Sequence, residues 1–219
     1  MILAKADDAR LESSLVCLVI ARGCHTIPTP EGLLAELNAL AQRRGAEDFP
    51  PARIKDAVRD MLRAGGYKPA GRQKPASEYL AQAAREGRFP SINAPVDCNN
   101  LLSLDTGLPI SLLDLHALGG QALVRIAADG ESYVFNAAGH EMDLAGLLCV
   151  CAADGTPLGN PVKDSMAGKL KDDSADFAGF IYAPPLLYAP DALKAVGERF
   201  ADLLSRYCGA SEAFVAAVV

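Results

Sequence analysis

The stretch "PVDCNNLLSLDTGLPISLLD", Pro95 to Asp114, decides how the chain is read. Asp97 sits where a helix would begin, and its carboxylate is placed to cap free N–H groups. Leu101, Leu102 and Leu104 give that helix a buried side. Asn99 and Asn100 are weak helix formers, so their side chains are expected to bond nearby backbone. Gly107 suits a left-handed C-terminal cap, and Pro109 prevents the helix from continuing. "ISLLDL" is then an apolar run interrupted by Ser111 and Asp114. Asp97, Asn100 and Asp114 act as structural pins on this reading. The competing reading has them meet a polar ligand at the helix end.

Outward from this stretch, the elements differ in texture. Leu11–Arg22 contains the apolar run "LVCLVI" and reads as a buried strand. Thr29-Pro30 suits an N-cap and first helical position, with Leu33, Leu34, Leu37 and Leu40 following at helical spacing. A second helix fits Pro51 to about Ala64, and a short third fits Ser77–Glu86. Between them "GYKPAGRQKPAS", Gly66 to Ser77, reads as a hinge loop. Gln121–Ala127 and Glu131–Asn136 read as two strands joined by a tight Asp-Gly turn. Further strands fit Gly146–Ala152 and Phe177–Ala183. An amphipathic helix follows Pro190 and stops before Gly209, and "AFVAAVV" ends the chain as a last strand. Strands and helices without regular alternation predict an α+β fold.

Composition narrows the function classes. The 219 residues are 50% hydrophobic and 22% charged, enough for a packed core. No apolar run approaches the roughly 18 residues of a membrane span, and no leader is indicated, so a cytoplasmic protein is expected. The six cysteines include no C-x-x-C pair and the three histidines share no ligand spacing, so buried thiols and no metal site are expected. Neither a phosphate-cradling glycine motif nor a G-x-S-x-G elbow occurs, and no cofactor is expected. The net charge of −6 is uneven. Residues 1–90 hold 14 Lys/Arg against 11 Asp/Glu, and residues 91–219 hold 7 against 16. Arg53–Arg88 concentrates nine basic residues against four acidic ones, a patch able to meet one nucleic-acid backbone or simply a solvated helical face.

The quoted stretch resembles the core motif of the B3/B4 domain, found in the β subunit of bacterial phenylalanyl-tRNA synthetase and in freestanding proteins. Val96, Asp97, Asn100, Leu104, Gly107, Pro109 and Asp114 fall on motif positions without a gap. The similarity runs from about Lys74 to Arg206. It implies an α+β, B3/B4-like domain of mixed and antiparallel sheets with packed helices, with a pocket between the sheets. A division into residues 1–73, a strand and helical N-terminal section, and residues 74–219, the B3/B4-like domain, follows. In the synthetase that pocket hydrolyses tyrosine wrongly attached to phenylalanine tRNA.

This sequence departs from the editing pattern where chemistry is expected. Ser111 stands where the motif has His, and Phe180 falls where the editing glutamate is expected. No residue is therefore assigned a catalytic role. The loop "NPVKDSMAGKLKDD", Asn160 to Asp173, offers replacement groups in Lys163, Asp164, Ser165 and Lys169. Together with Asn100, Ser111 and Asp114 these form the expected substrate-binding set. Lys163 is suited to hold a carboxylate or phosphate. The leading expectation is a protein that binds, and if an enzyme hydrolyses, an aminoacyl-tRNA or related aminoacyl ester, with tRNA meeting Arg53–Arg88. The alternative is a non-catalytic module for a small amino-acid-like ligand or a partner protein.

Overall fold

In the computed structural model, which describes residues 1–219, "PVDCNN" lies inside a helix and does not begin one. The chain starts with β1 (Ile2–Lys5) and β2 (Leu15–Arg22), then α1 (Glu31–Gly45), α2 (Ala52–Arg63), α3 (Ala76–Arg85) and α4 (Ala94–Thr106). Asn93 caps α4, accepting from the Val96 N–H at 3.1 Å, and Gly107 closes it with φ +76°. A side chain at Gly107 would also press on Ile54 and Pro50 at 3.1 Å, so glycine is required twice over.

Asp97, expected as the cap, does a different job. Its fully buried carboxylate accepts from Thr29 Oγ1 and Ser91 Oγ, both at 2.6 Å, and from the Ile92 N–H at 3.0 Å. It ties the chain before α1 and the chain before α4 to α4 itself. Thr29 is accordingly no N-cap: α1 starts behind Pro30 with no side-chain cap, because the Thr29 hydroxyl is taken by Asp97.

After α4 come β3 (Ile110–Asp114), β4 (Gln121–Ile126), β5 (Ser132–Val134), β6 (Glu141–Asp143), β7 (Leu148–Cys151), β8 (Pro157–Gly159) and β9 (Phe177–Ala183). α5 (Pro190–Cys208) and β10 (Glu212–Val218) complete the chain. One mixed sheet has the order β1-β4-β7-β8, with β1 parallel to β4. The other, wholly antiparallel, has the order β10-β2-β9-β3. The fold is thus α+β with mixed and antiparallel sheets and packed helices. The first 73 residues supply a strand to each sheet as well as α1 and α2, and one hydrophobic core runs through both parts of the chain.

The expected β4–β5 hairpin does not form; β5 pairs with β6 in a separate two-stranded sheet. The reason is local. Glu131 turns back to bind Arg125 at 2.6 Å and the Ala128 N–H at 2.6 Å, closing the Asp129-Gly130 turn on β4 while the following chain departs. The short strands β1, β6 and β8 have too few residues for a period-2 pattern to reveal them.

Alternation within the antiparallel sheet decides what each side chain meets. Gly179 and Gly197 let α5 lie directly on this sheet: an added Cβ would stand 2.4 Å from the Phe200 ring at Gly179 and 2.6 Å from Cys17 Sγ at Gly197. The opposite face carries Leu18, Phe180 and Ser111 in one cross-strand row, turned toward the first sheet. All three are fully buried. All six cysteines are free and buried.

Candidate ligand cleft beside the buried Ser111 network

Ser111 and Phe180, the two positions where the family resemblance calls for His and Glu, are direct cross-strand partners. Neither has any exposed surface. The Ser111 hydroxyl lies 2.6 Å from Asp164 Oδ1, 2.9 Å from the Tyr182 hydroxyl and 3.2 Å from the Asn160 carbonyl. Gly159 packs on this cluster, with room for no side chain: a Cβ there would sit 3.0 Å from Asp164 Oδ1. The space expected to be a pocket between the sheets is, at Ser111, closed core joined by polar groups.

Burial pushes the Asp164 carboxyl up to about 6, against the opposing pull of the Ser111 and Asn160 hydrogen bonds. A raised carboxyl pKa means the folded state holds this proton longer than the unfolded chain does. Its contribution to stability is complete below about pH 4 and lost as pH rises through about 6, a total on the order of 2–3 kcal/mol. Asp164→Asn should remove that dependence. Urea unfolding at pH 4.5 and 7.5 is expected to show the variant gaining on the natural chain by about 2 kcal/mol at the higher pH. Equal differences at both pH values would contradict a buried, neutral-leaning Asp164.

The open site lies to one side, against the middle of α4. A cleft of about 470 Å³ is bounded by α3, α4, the start of β3, the Gly71–Gln73 turn and the loop after β8. Its apolar wall includes Leu80, Ile110 and Val162. Its polar lining includes Arg72, Asn99, Asn100 and Lys163. None of these four polar side chains makes a hydrogen bond or ion pair within the protein, and Asn99 Oδ1 is buried without any partner. Buried polar groups are almost always paired, so Asn99 Oδ1 is an unsatisfied acceptor in the cleft wall, closed off from the cleft itself.

The walls are tied to one another, in part by Tyr79, which itself lines the cleft. The Tyr67 and Tyr79 hydroxyls bond the Gln73 and Gly71 carbonyls at 3.1 and 3.3 Å, holding the turn that carries Arg72. The Ala76 N–H donates to the Pro161 carbonyl at 2.9 Å, joining α3 to the loop that carries Lys163. Asn160 Oδ1 accepts the Lys163 N–H at 2.9 Å, and the Tyr133 hydroxyl donates to the Lys163 carbonyl at 2.5 Å. The Lys163 ammonium stands 4.1 Å from the centre of the Phe135 ring. Burial, then the charges of Arg72 and Lys169, lower its pKa. Two cations held near each other without a counter-ion favour an anion.

A protein-family model described as "B3/4 domain" matches residues 67–178. The chain belongs to the B3/4 domain family. A search of curated proteins finds no match. Among solved structures, the N-terminal fragment of the phenylalanyl-tRNA synthetase beta-subunit from Pyrococcus horikoshii is similar, with a TM-score of 0.46 and 10% identity. The similarity covers 94% of this chain and 48% of that one, so the chain spans about half the length of that fragment.

Within this B3/4 domain the expected site residues separate into groups. Asn100 and Lys163 line the same cleft. Ser111 and Asp164 meet each other in the closed core. Asp114 does not join them. It accepts from the His116 N–H at 2.8 Å and from Ser174 Oγ, fastening loops at the far end of β3. Ser165 is buried and accepts from the Gly168 N–H at 3.0 Å, while Lys169 Nζ donates to the Phe135 carbonyl at 2.6 Å. None of these three lines the cleft. Asn99 and Asn100 were expected to bond nearby backbone, and they do not. Sequence reasoning missed Arg72 and Asn99 as cleft residues. Arg72 was visible only as one charge in a basic stretch, and Asn99 only as a neighbour of the motif asparagine.

Proposed function

We propose that this B3/4 domain binds an aminoacyl-tRNA or a related aminoacyl ester in the cytoplasm, with the aminoacyl end in the α4 cleft, and does not hydrolyse it. The observation that carries the reading is the cleft lining: two cations and the Asn100 amide, none hydrogen-bonded or ion-paired within the protein, in an acidic chain. Ester hydrolysis by positioning needs groups that orient water or take a proton near neutral pH. The ten lining residues include no carboxylate and no histidine. Ser111 and Phe180 are sealed in the core and leave no editing pair to take over. The site we propose keeps Asn100 and Lys163 from the expected set and adds Arg72.

The tRNA body would lie along the basic stretch 53–88. Three of its cations are already neutralised in ion pairs, Arg59 with Glu78, Arg63 with Asp60 and Arg88 with Glu86. Arg53, Lys68 and Arg72 are exposed and have no such partner. Each cation that meets a phosphate adds about one to the salt slope of binding. Filter binding of tRNA to the Arg53→Glu/Lys68→Glu variant is therefore expected to show weaker affinity and a slope lower by about two. An unchanged affinity removes the tRNA part of the proposal. Incubation with a panel of mischarged tRNAs is expected to release amino acid no faster than buffer does, and faster release overturns the non-hydrolytic reading. A second reading, a module for a small amino-acid-like ligand alone, is favoured by the cleft's modest volume, about 470 Å³.

A further inference from the structure

α3 borders a second pocket on its other face. Glu78, Ala81, Gln82 and Arg85 recur at helical spacing and line a hollow of about 420 Å³ between α3 and α2. Lys55 and Arg59, one turn apart on α2, and Lys74, just before α3, complete its cationic lining. Ala76, Tyr79 and Leu80 line the α4 cleft instead. The Arg59 guanidinium grips both oxygens of the buried Glu78 at 2.7 Å and ties the two helices together.

The charges of this pocket do not cancel. Four cations meet three carboxylates in the lining. Arg59 is taken up by Glu78. Glu86 is held by the Gln82 amide at 2.6 Å and by Arg88, a cation outside the lining. That leaves three cations, Lys55, Lys74 and Arg85, against Asp48 alone, an excess of two positive charges. Lys55 is half-buried and makes no hydrogen bond or ion pair. Lys74 is half-buried too; its ammonium donates to the neutral Gln82 amide and faces the Tyr79 ring. Arg85 gives one N–H to the Phe49 carbonyl at 3.2 Å and has no carboxylate partner. Cations gathered in a hollow without counter-ions make a local potential that attracts an anion.

We propose that the α2–α3 pocket binds a phosphate monoester group, with Lys55, Lys74 and Arg85 as its partners. A phosphomonoester carries about two negative charges at neutral pH and offers three acceptor oxygens. Both features match the pocket, which has that excess of charge and three cations to spare. A carboxylate or a phosphodiester brings one charge and leaves the other unanswered. Arg85 has the planar fork that grips two oxygens, and the lysines add point charges. The apolar lining is Phe49, Pro50 and Ala81, and the Arg44 guanidinium lies 4.1 Å from the centre of the Phe49 ring. The pocket therefore reads the phosphate and not the group that carries it. The site is separate from the α4 cleft and stands whether or not tRNA follows residues 53–88. Two sources share the chemistry: a small phosphorylated molecule and the 5′-phosphate at the end of a nucleic acid.

Calorimetric titration of the full chain with methyl phosphate, dimethyl phosphate and acetate, at one low salt concentration, tests this. Methyl phosphate should bind saturably and about tenfold or more tightly than the other two. Lys55→Gln and Arg85→Gln should each weaken methyl phosphate about fivefold or more. Lys171→Gln removes the same charge from an exposed position outside the pocket and should leave the affinity unchanged. Lys55 makes no bond within the protein, so Lys55→Gln should keep the natural thermal midpoint, which excludes misfolding as the cause of weaker binding. RNA oligonucleotides of one sequence, ending in a 5′-phosphate or a 5′-hydroxyl, identify the source. Tighter binding of the phosphorylated one, lost in Lys55→Gln, assigns a nucleic-acid end. Equal binding of the two, with methyl phosphate still bound, assigns a small molecule. The proposal is overturned if methyl phosphate does not saturate, if dimethyl phosphate or acetate binds as well, or if Lys171→Gln weakens binding as much as Lys55→Gln.

Discussion

Asp97→Ala is expected to lower the unfolding free energy by about 2–3 kcal/mol, the largest stability loss of any single change considered for this chain. The carboxylate is fully buried and is the acceptor for two hydroxyls and one backbone N–H. Truncation leaves the Ile92 N–H without its partner and releases Thr29 and Ser91, while adding no compensating contact. Each bond to the charged carboxylate is worth more than a neutral one, while the freed donors, on exposed or half-buried residues, regain only water. Asp97→Asn keeps the shape but points an NH₂ toward donors, so it should recover only part of the loss. Urea midpoints for the three proteins decide the matter. A loss below about 1 kcal/mol for the alanine variant would be the ordinary cost of one hydrogen bond and would contradict the hub role. Because α4 also carries Asn99 and Asn100, the alanine variant should bind cleft ligands less well even below its melting range.

The fate of Asp97 also shows how far the sequence could be followed. The motif residue was legible as a polar pin, but its partners were not. Thr29 and Ser91 lie 68 and 6 positions away, and both hydroxyls converge on one oxygen. Local rules instead made Asp97 and Thr29 two separate helix caps, and the tertiary contact overrode both. The long periodic elements fared better. Phe177–Ala183 forms β9 over the stated residues, and the last helix runs from Pro190 to Cys208 with Gly209 left-handed behind it. These segments carry enough apolar repeats to outweigh any one contact.

The candidate site was legible in halves. Asn100 and Lys163 were singled out from a motif position and a charged loop, and the fold brings them together. Ser111 drew notice because it replaces a histidine, yet its place in the strand pairing puts it against Phe180, Tyr182 and Asp164 in closed core. Arg72 belongs to a loop read as a hinge. Nothing local in "AGRQK" says that two tyrosine hydroxyls fasten its turn beside α4. The unpartnered state of Asn99 is likewise a property of the packed molecule, because it depends on every neighbour that fails to reach it.

The second large effect concerns ligand recognition. If the aminoacyl end enters the α4 cleft, the charged tRNA makes contacts that the uncharged tRNA cannot, while both share the basic stretch. Their affinity ratio therefore isolates the cleft from the general phosphate term. In the natural chain, charged tRNA should bind about tenfold or more tightly than the same tRNA uncharged. Asn100→Leu removes an unbonded cleft amide and fills part of the cleft, and it should bring the ratio close to one. Uncharged tRNA should bind this variant as before, since position 100 lies outside the basic stretch. The most direct test is thus the charged-to-uncharged affinity ratio, measured side by side for the natural chain and Asn100→Leu at one fixed salt concentration. The account predicts a ratio near ten or above that collapses in the variant. A ratio of one in the natural chain, or a preference that survives Asn100→Leu unchanged, would contradict it.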